Sequence, residues 1–206
     1  MKKLETIKKY YESKMGKGLP DYGVLGWESE EAQNLRFEML LSAVELEGKS
    51  LLDVGCGMGN LLQYLRSKGT DVRYTGVDIL ESMIEQARLK NPDAEFYHAD
   101  IFKDSIFKSN SFDIAYASGI FNIDLGNNGE FLRKALELLL DLSKEAVVFN
   151  LLHCDSPDRE SGYCYFHPDE VRSMVEGFQD KVERLEIIEA YLHNDFTVVC
   201  RKAELP

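Results

Sequence analysis

The run Leu51-Leu52-Asp53-Val54-Gly55-Cys56-Gly57-Met58-Gly59-Asn60 constrains this chain more than any other stretch of its sequence. Residues 51–54 read as a short buried strand; Gly55, Gly57 and Gly59 follow at once and lead into the amphipathic segment 61–65. Glycines in such a loop let the backbone turn tightly and approach a bound molecule without a Cβ in the way. A second apolar run, 73–77, ends on Asp78, about 20 residues beyond the loop, where a carboxylate accepts from both hydroxyls of a ribose. Strand, loop, helix, strand and acid in that order predict a parallel α/β sheet with its ligand at the carboxyl ends of the strands.

The spacing discriminates among nucleoside ligands. A dinucleotide site wants G-x-G-x-x-G, but the third glycine falls on Asn60 counted from Gly55 and on Leu62 counted from Gly57. Here the order is an acid, Asp53, and then G-x-G-x-G. In this the chain resembles the class I S-adenosylmethionine-dependent methyltransferases. Three further stretches extend the likeness over residues 48–202: AEFYHADIF (94–102), SFDIAYASGIFN (111–122) and DFTVVCRK (195–202). The resemblance implies a doubly wound, Rossmann-like α/β fold. Its seven-stranded sheet is mostly parallel with an antiparallel last strand, and helices cover both faces. It implies S-adenosyl-L-methionine as cofactor, with Asp53, Gly55, Cys56, Gly57 and Gly59 beside its methionyl part and Asp78 and Ile79 at the ribose. It further implies that Asp100 accepts from the adenine amine, that Ile101 packs on the ring, and that Ser118 lies beside the transferable methyl.

Composition agrees with a folded enzyme. The chain has 206 residues, 44% of them hydrophobic and 11% aromatic, enough for one sizeable core and short for two. We therefore expect one methyltransferase domain over 1–206, with 1–47 as a helical arm or cap, 48–202 as the cofactor-binding core, and 153–167 as an insertion loop. The first residues, MKKLETIKKYYESK, carry charge without an apolar signal region, and no uncharged stretch approaches membrane-spanning length. Cys56, Cys154, Cys164 and Cys200 form no C-x-x-C pair, which points to a reducing, cytoplasmic setting.

A net charge of −12 bears on the substrate. Gripping nucleic acid takes clustered Lys and Arg, whereas an acidic surface repels the polyanion. The cluster Lys2, Lys3, Lys8, Lys9 and Lys14 reads as a solvated helical face. Where amino-directed DNA methylases carry Asn/Asp-Pro-Pro-aromatic, this chain has Ser118-Gly119-Ile120-Phe121-Asn122, and the Pro-Cys pair of cytosine-C5 enzymes is missing too. Nucleic acid is not expected as a partner.

Periodicity predicts helices at 4–15, 28–44 (Ser29 as N-cap), 60–67, 81–90, 130–142 and 168–176. Strands are predicted at 51–54, 73–77, 95–98, 113–118, 146–152, 182–190 and 196–201, with a looped arm at 16–27.

Methyl transfer from a sulfonium asks for alignment and exclusion of water more than for a fixed catalytic set, so acceptor-side residues follow from position. The arm supplies Tyr22, Trp27, Gln33 and Arg36. Arg36 is either a ligand of the methionyl carboxylate or a surface arginine. Trp27 is either a cation–π partner of the sulfonium or an apolar plug between arm and core. In the 153–167 loop, His153 and Asp155 are candidates for a base and its orienter, or else ordinary loop residues. Asn122, His153 and Tyr165 join Trp27 and Tyr22 as acceptor contacts. His153, Cys154, Cys164 and His167 match no usual zinc spacing, and His167-Pro168 reads as a helix start, so no metal is expected. The reading is a methyltransferase acting on the O or N of a small molecule. The alternatives are a protein side-chain methyltransferase and a non-catalytic cofactor sensor or partner. Nothing in the sequence indicates the oligomeric state.

Overall fold

Alternation along β1 (Ser50–Val54) sorts the core into two layers. Leu51 packs with Phe37, Leu40, Leu65 and Ile84 on one face of the sheet, while Leu52 and Val54 pack with Leu136, Leu139 and Phe149 on the other. A computed structural model of the chain describes residues 2–203. Seven strands form one sheet in the order β3 (Glu95–His98), β2 (Arg73–Asp78), β1, β4 (Phe112–Ala117), β5 (Ser143–Leu152), β7 (Asp195–Lys202), β6 (Val182–Leu192). β7 runs antiparallel to both neighbours and the other pairs are parallel, as expected from the sequence. The order reverses between β1 and β4, and ligands of such sheets bind in the crevice that this reversal opens.

Helices α3 (Glu30–Ala43), α4 (Asn60–Ser67) and α5 (Glu81–Lys90) cover the first face, and α6 (Asn128–Leu142) and α7 (Pro168–Glu176) the second. The remaining two, α1 (Lys2–Glu12) and α2 (Asp21–Leu25), form a cap. Leu4, Ile7, Tyr11 and Met15 lay one stripe of the N-terminal segment over Val24, Met58, Leu80 and Met83, near the start of α5. Lys8 and Lys9 point to solvent on the other side of α1, and the side chains at 2 and 3 lie outside the described part of the chain. No described helix is long and apolar enough to cross a membrane.

The boundaries of α4, α5, β3 and α7 fall where periodicity put them, and Ser29 caps α3 by accepting from the Ala32 N–H at 3.0 Å. Other ends differ for local reasons. The helix expected to reach 15 stops at Glu12, where the Tyr11 carbonyl accepts from both Lys14 and Met15 and unwinds the last turn. The looped arm contains α2. Helix α6 starts at Asn128, two residues early, because that side chain ties off the preceding loop. Its amide nitrogen donates to the carbonyls of Phe121 (3.0 Å) and Ile123 (2.7 Å), and its oxygen accepts from Leu125 N (2.7 Å). Strand β6 extends to Leu192, with an irregular register where Ala190 adopts φ 66°.

Candidate functional site

The carboxyl ends of β1, β2 and β4 open into a cavity of about 320 Å³. Its floor is built from Asp53 within β1 and Gly55, Cys56 and Gly57 after it, Asp78 ending β2 and Ile79 after it, Asp100 and Ile101 after β3, and Ser118 and Gly119 after β4. Its roof is the cap: Leu4, Ile7, Tyr10 and Tyr11 of α1 with Leu25 and Trp27 beyond them. The side wall carries Phe102, Asn122, Ile123, Phe131 and Tyr163.

Sequence dictates how tightly the floor is drawn. Gly55 sits at φ 76°, and a Cβ there would lie 2.1 Å from the Ile120 methyl, so the residue has to be glycine on both counts. Gly59 is required for a different reason. At φ 79° it starts α4 as N-cap, a Cβ would strike Asn91 at 2.7 Å and Phe96 at 3.1 Å, and the residue does not line the cavity. Its role is helix–strand packing, a correction to the expectation that all three glycines face the ligand.

Two acids on the floor are withdrawn from solvent, Asp53 buried and Asp78 half-buried. Asp78 accepts from Gly57 N (3.0 Å) on one oxygen and from Leu80 N (2.9 Å) on the other, which locks its rotamer between the glycine loop and α5. Burial raises its pKa, and these backbone donors oppose the rise. Asp53, 4% exposed, takes a hydrogen bond from the Tyr74 hydroxyl at 2.5 Å. Burial pushes its carboxyl up to about 7; the Tyr74 donor works against this, and the nearby Asp78 adds to it. Asp100 is nearer solvent and pairs with Lys103.

Several expected residues lie elsewhere. Arg36 is neither exposed nor aimed at the cavity. On the inner side of α3, 3% exposed, it spends its donors on Asp195 and the Ala32 carbonyl, and its guanidinium lies 4.3 Å from the Trp27 ring. Trp27 therefore has a cation–π partner inside the protein. It lines the cavity with its far edge against Gly119, where a Cβ would come within 3.0 Å of it, as a plug between arm and core would. Tyr22 is off the cavity, its carbonyl accepting from Trp27 N to close the α2 turn.

His153 and Asp155 do not form a base and orienter at the site. The imidazole Nδ1 accepts from the Asp155 backbone N–H (3.0 Å), Nε2 faces Glu189 (3.2 Å), and neither residue lines the cavity. Their donor atoms, with that of Cys154, lie within 4.8 Å of one another, a grouping that includes neither Cys164 nor His167. His167 instead caps α7, accepting from Asp169 N at 3.1 Å. Tyr165 also turns away; its hydroxyl accepts from Glu160 N, and Arg159 covers its ring.

In its place stands Tyr163, set inward by a bridge to Ile123 and joined to the Tyr10 hydroxyl across the roof. Lys14 donates to that same Tyr10 oxygen at 2.8 Å. Tyr10, Tyr11, Phe131 and Tyr163 were not singled out from the sequence. The apolar spacing of 4, 7 and 11 was a readable signal for the α1 part, whereas nothing local separates Tyr163 from Tyr165.

Fold and site together define an α/β domain with a roofed cavity at the carboxyl ends of its central strands. Residues 51–142 match the family model for a methyltransferase domain. A Mycobacterium tuberculosis protein assigned as a methyltransferase is 29% identical over 164 residues, covering 75% of this chain and 93% of its own. Trans-aconitate 2-methyltransferase of Escherichia coli is 43% identical over 63 residues, 30% of this chain but only 25% of that enzyme. Among solved structures, the magnesium protoporphyrin IX methyltransferase of Synechocystis with bound S-adenosylhomocysteine superposes with TM-score 0.70 at 13% identity, covering 98% of this chain and 100% of that one. Residues 51–142 are thus a methyltransferase domain, and the whole chain has the fold of the class I S-adenosylmethionine-dependent methyltransferases.

The residues present fit that cofactor. The cavity at the carboxyl ends of the strands is lined by Asp53, Asp78 and Asp100, whose carboxyl oxygens offer hydrogen-bond acceptors to a ligand that is cationic at sulfur and rich in donors.

Proposed function

We propose that this chain methylates an oxygen or nitrogen of a small molecule. The observation that carries the reading is the closure of the cavity from above by α1 and from the side by Tyr163, the two joined through Tyr10. A roofed cavity suits an acceptor small enough to be enclosed, and enclosure excludes the water that competes for an activated methyl group. Relatives named for trans-aconitate and for magnesium protoporphyrin IX agree with small acceptors as a class.

When bound, S-adenosylmethionine supplies the methyl group on a sulfonium leaving group. In this reading Asp78 accepts from the ribose hydroxyls and Asp100 from the adenine amine, while Ile79 and Ile101 flank the nucleoside. Asp53, Cys56 and the Gly55–Gly57 backbone receive the methionyl end, with Ser118 beside the methyl. Trp27 and Asn122 face the acceptor. The cap over residues 1–47 belongs to the same domain as the core, and the four free cysteines suit a reducing cytoplasm.

Incubation with methyl-labelled cofactor and a cell extract, followed by ultrafiltration, tests the reading. Label in the filtrate is the expected result. Label confined to retained protein would favour a side-chain methyltransferase, and cofactor binding with no transfer would favour a sensor.

A further inference from the structure

Gln33 is 5% exposed, lines the cavity from α3, and has no hydrogen-bond partner for its side-chain amide among the described residues. The unpartnered oxygens of Ser118 and Asn122 are sealed inside the wall, but neither amide atom of Gln33 is. The cavity is the space that the residue borders, so the amide keeps its accessible surface there. Buried polar groups in native proteins are nearly always paired, and one left open beside a cavity calls for a ligand group to pair it.

Alternation along the strands identifies which end of the cavity this is. Asp53 shares the face of Leu51, pairs in register with Tyr116 of β4 and takes its hydrogen bond from Tyr74, all on the side of the sheet that α3 covers. Phe37, one turn after Gln33 on the same flank of α3, packs in that layer and lines the cavity too, as does Cys56. Phe102, Ile120 and Phe131 belong to the opposite layer. Gln33 therefore shares an end of the cavity with Asp53 and Cys56, where the methionyl part of the cofactor is proposed to lie.

The methionyl part ends in an ammonium and a carboxylate. Asp53 offers an acceptor to the ammonium, but the carboxylate needs donors. The cation that lines the cavity among the described residues, Lys103, pairs with Asp100 after β3, and Arg36, one turn along α3 from Gln33, is committed to Asp195 behind the wall. An amide N–H can serve a carboxylate without bringing a buried charge of its own. Resting on the reading that places the methionyl end beside Asp53, we propose that Gln33 takes the part expected of Arg36: its Nε2 donates to the methionyl carboxylate. Gln33 is then a positioning residue, holding the tail of the cofactor and not touching the methyl group that is transferred.

Calorimetry with three ligands tests this. S-adenosylhomocysteine has the whole amino-acid tail, decarboxylated S-adenosylmethionine keeps the ammonium without the carboxylate, and methylthioadenosine has neither. Gln33→Leu and the isosteric Gln33→Glu are each expected to weaken S-adenosylhomocysteine about tenfold or more, and not to weaken the other two ligands. Unchanged S-adenosylhomocysteine affinity overturns the proposal. An equal loss for methylthioadenosine also overturns it, because the residue is then structural or sits at the nucleoside. So does an equal loss for the decarboxylated ligand, since the contact is then not to the carboxylate. Asp53→Asn separates the proposal from the reading beneath it. If that variant loses S-adenosylhomocysteine but keeps methylthioadenosine, the methionyl end stays beside Asp53 even where Gln33 fails its own test; equal losses for both ligands remove the reading and the proposal together.

Discussion

The guanidinium of Arg36 lies 4.3 Å from the ring of Trp27 while its Nε and Nη2 hold one oxygen of Asp195 at 3.0 and 2.8 Å. Asn150 and Tyr191 also donate to Asp195, and the Asn150 oxygen accepts from Gly119 N at 3.2 Å. Two pieces of the cavity wall, Trp27 and Gly119, thus rest on one buried ion pair joining α3 to β7. Removing one partner of such a pair strands the other, at a cost of about 3–5 kcal/mol. Asp195→Ala is expected to lose about that much stability in urea denaturation. The double variant Arg36→Met, Asp195→Leu should lose clearly less than the sum of the two single changes.

Asp53 makes stability depend on pH in an unusual direction. Its carboxyl titrates near 3.8 in the open chain and at about 7 in the folded protein, so between those values the folded state holds a proton that the unfolded state has released. Stability without cofactor should therefore fall as pH rises from about 4 to about 7, by at most about 1.4 kcal/mol per unit from this group, and level off above. Asp53→Asn keeps an acceptor for Tyr74 and removes the charge. Its denaturation midpoint should gain on wild type across that window, and a constant difference would contradict the assignment. The cationic cofactor favours ionised Asp53, so its affinity in wild type should rise through pH 7.

Asp78→Ala removes a charged acceptor and should weaken S-adenosylhomocysteine by about 1.5–3 kcal/mol in calorimetry. It also releases Gly57 N and Leu80 N, so the cofactor-free protein should itself melt at lower temperature.

Lys103 competes for the carboxylate that adenine is proposed to use. Lys103→Ala should leave cofactor affinity unchanged or slightly improved, whereas Asp100→Ala should reduce it and Asp100→Asn should reduce it less. A loss in Lys103→Ala comparable to that in Asp100→Ala would show that the lysine itself binds the ligand.

The glycine loop, Asp78 and the succession of strands and helices along the chain were legible because each is fixed by local chemistry: positive φ, alternating burial, a cap or a breaker within a few positions. What was not legible depends on partners far along the chain. Arg36 meets Asp195 across 159 residues, and no pattern around position 36 announces a buried mate. Tyr165 and Tyr163 are equivalent as residue types; the bridge from Ile123 decides which of them faces inward. His153 has the chemistry of a base, but Glu189 and the Asp155 backbone take up both its nitrogens.

Tyr10 and Tyr163 meet across 153 residues. During synthesis the glycine loop and the acids of the floor all emerge well before the segment that carries Tyr163. An elongating chain can therefore shape its floor while the chamber still lacks a side, and secure retention of small molecules comes late in biogenesis. Ligand retention then reports a fully threaded polypeptide.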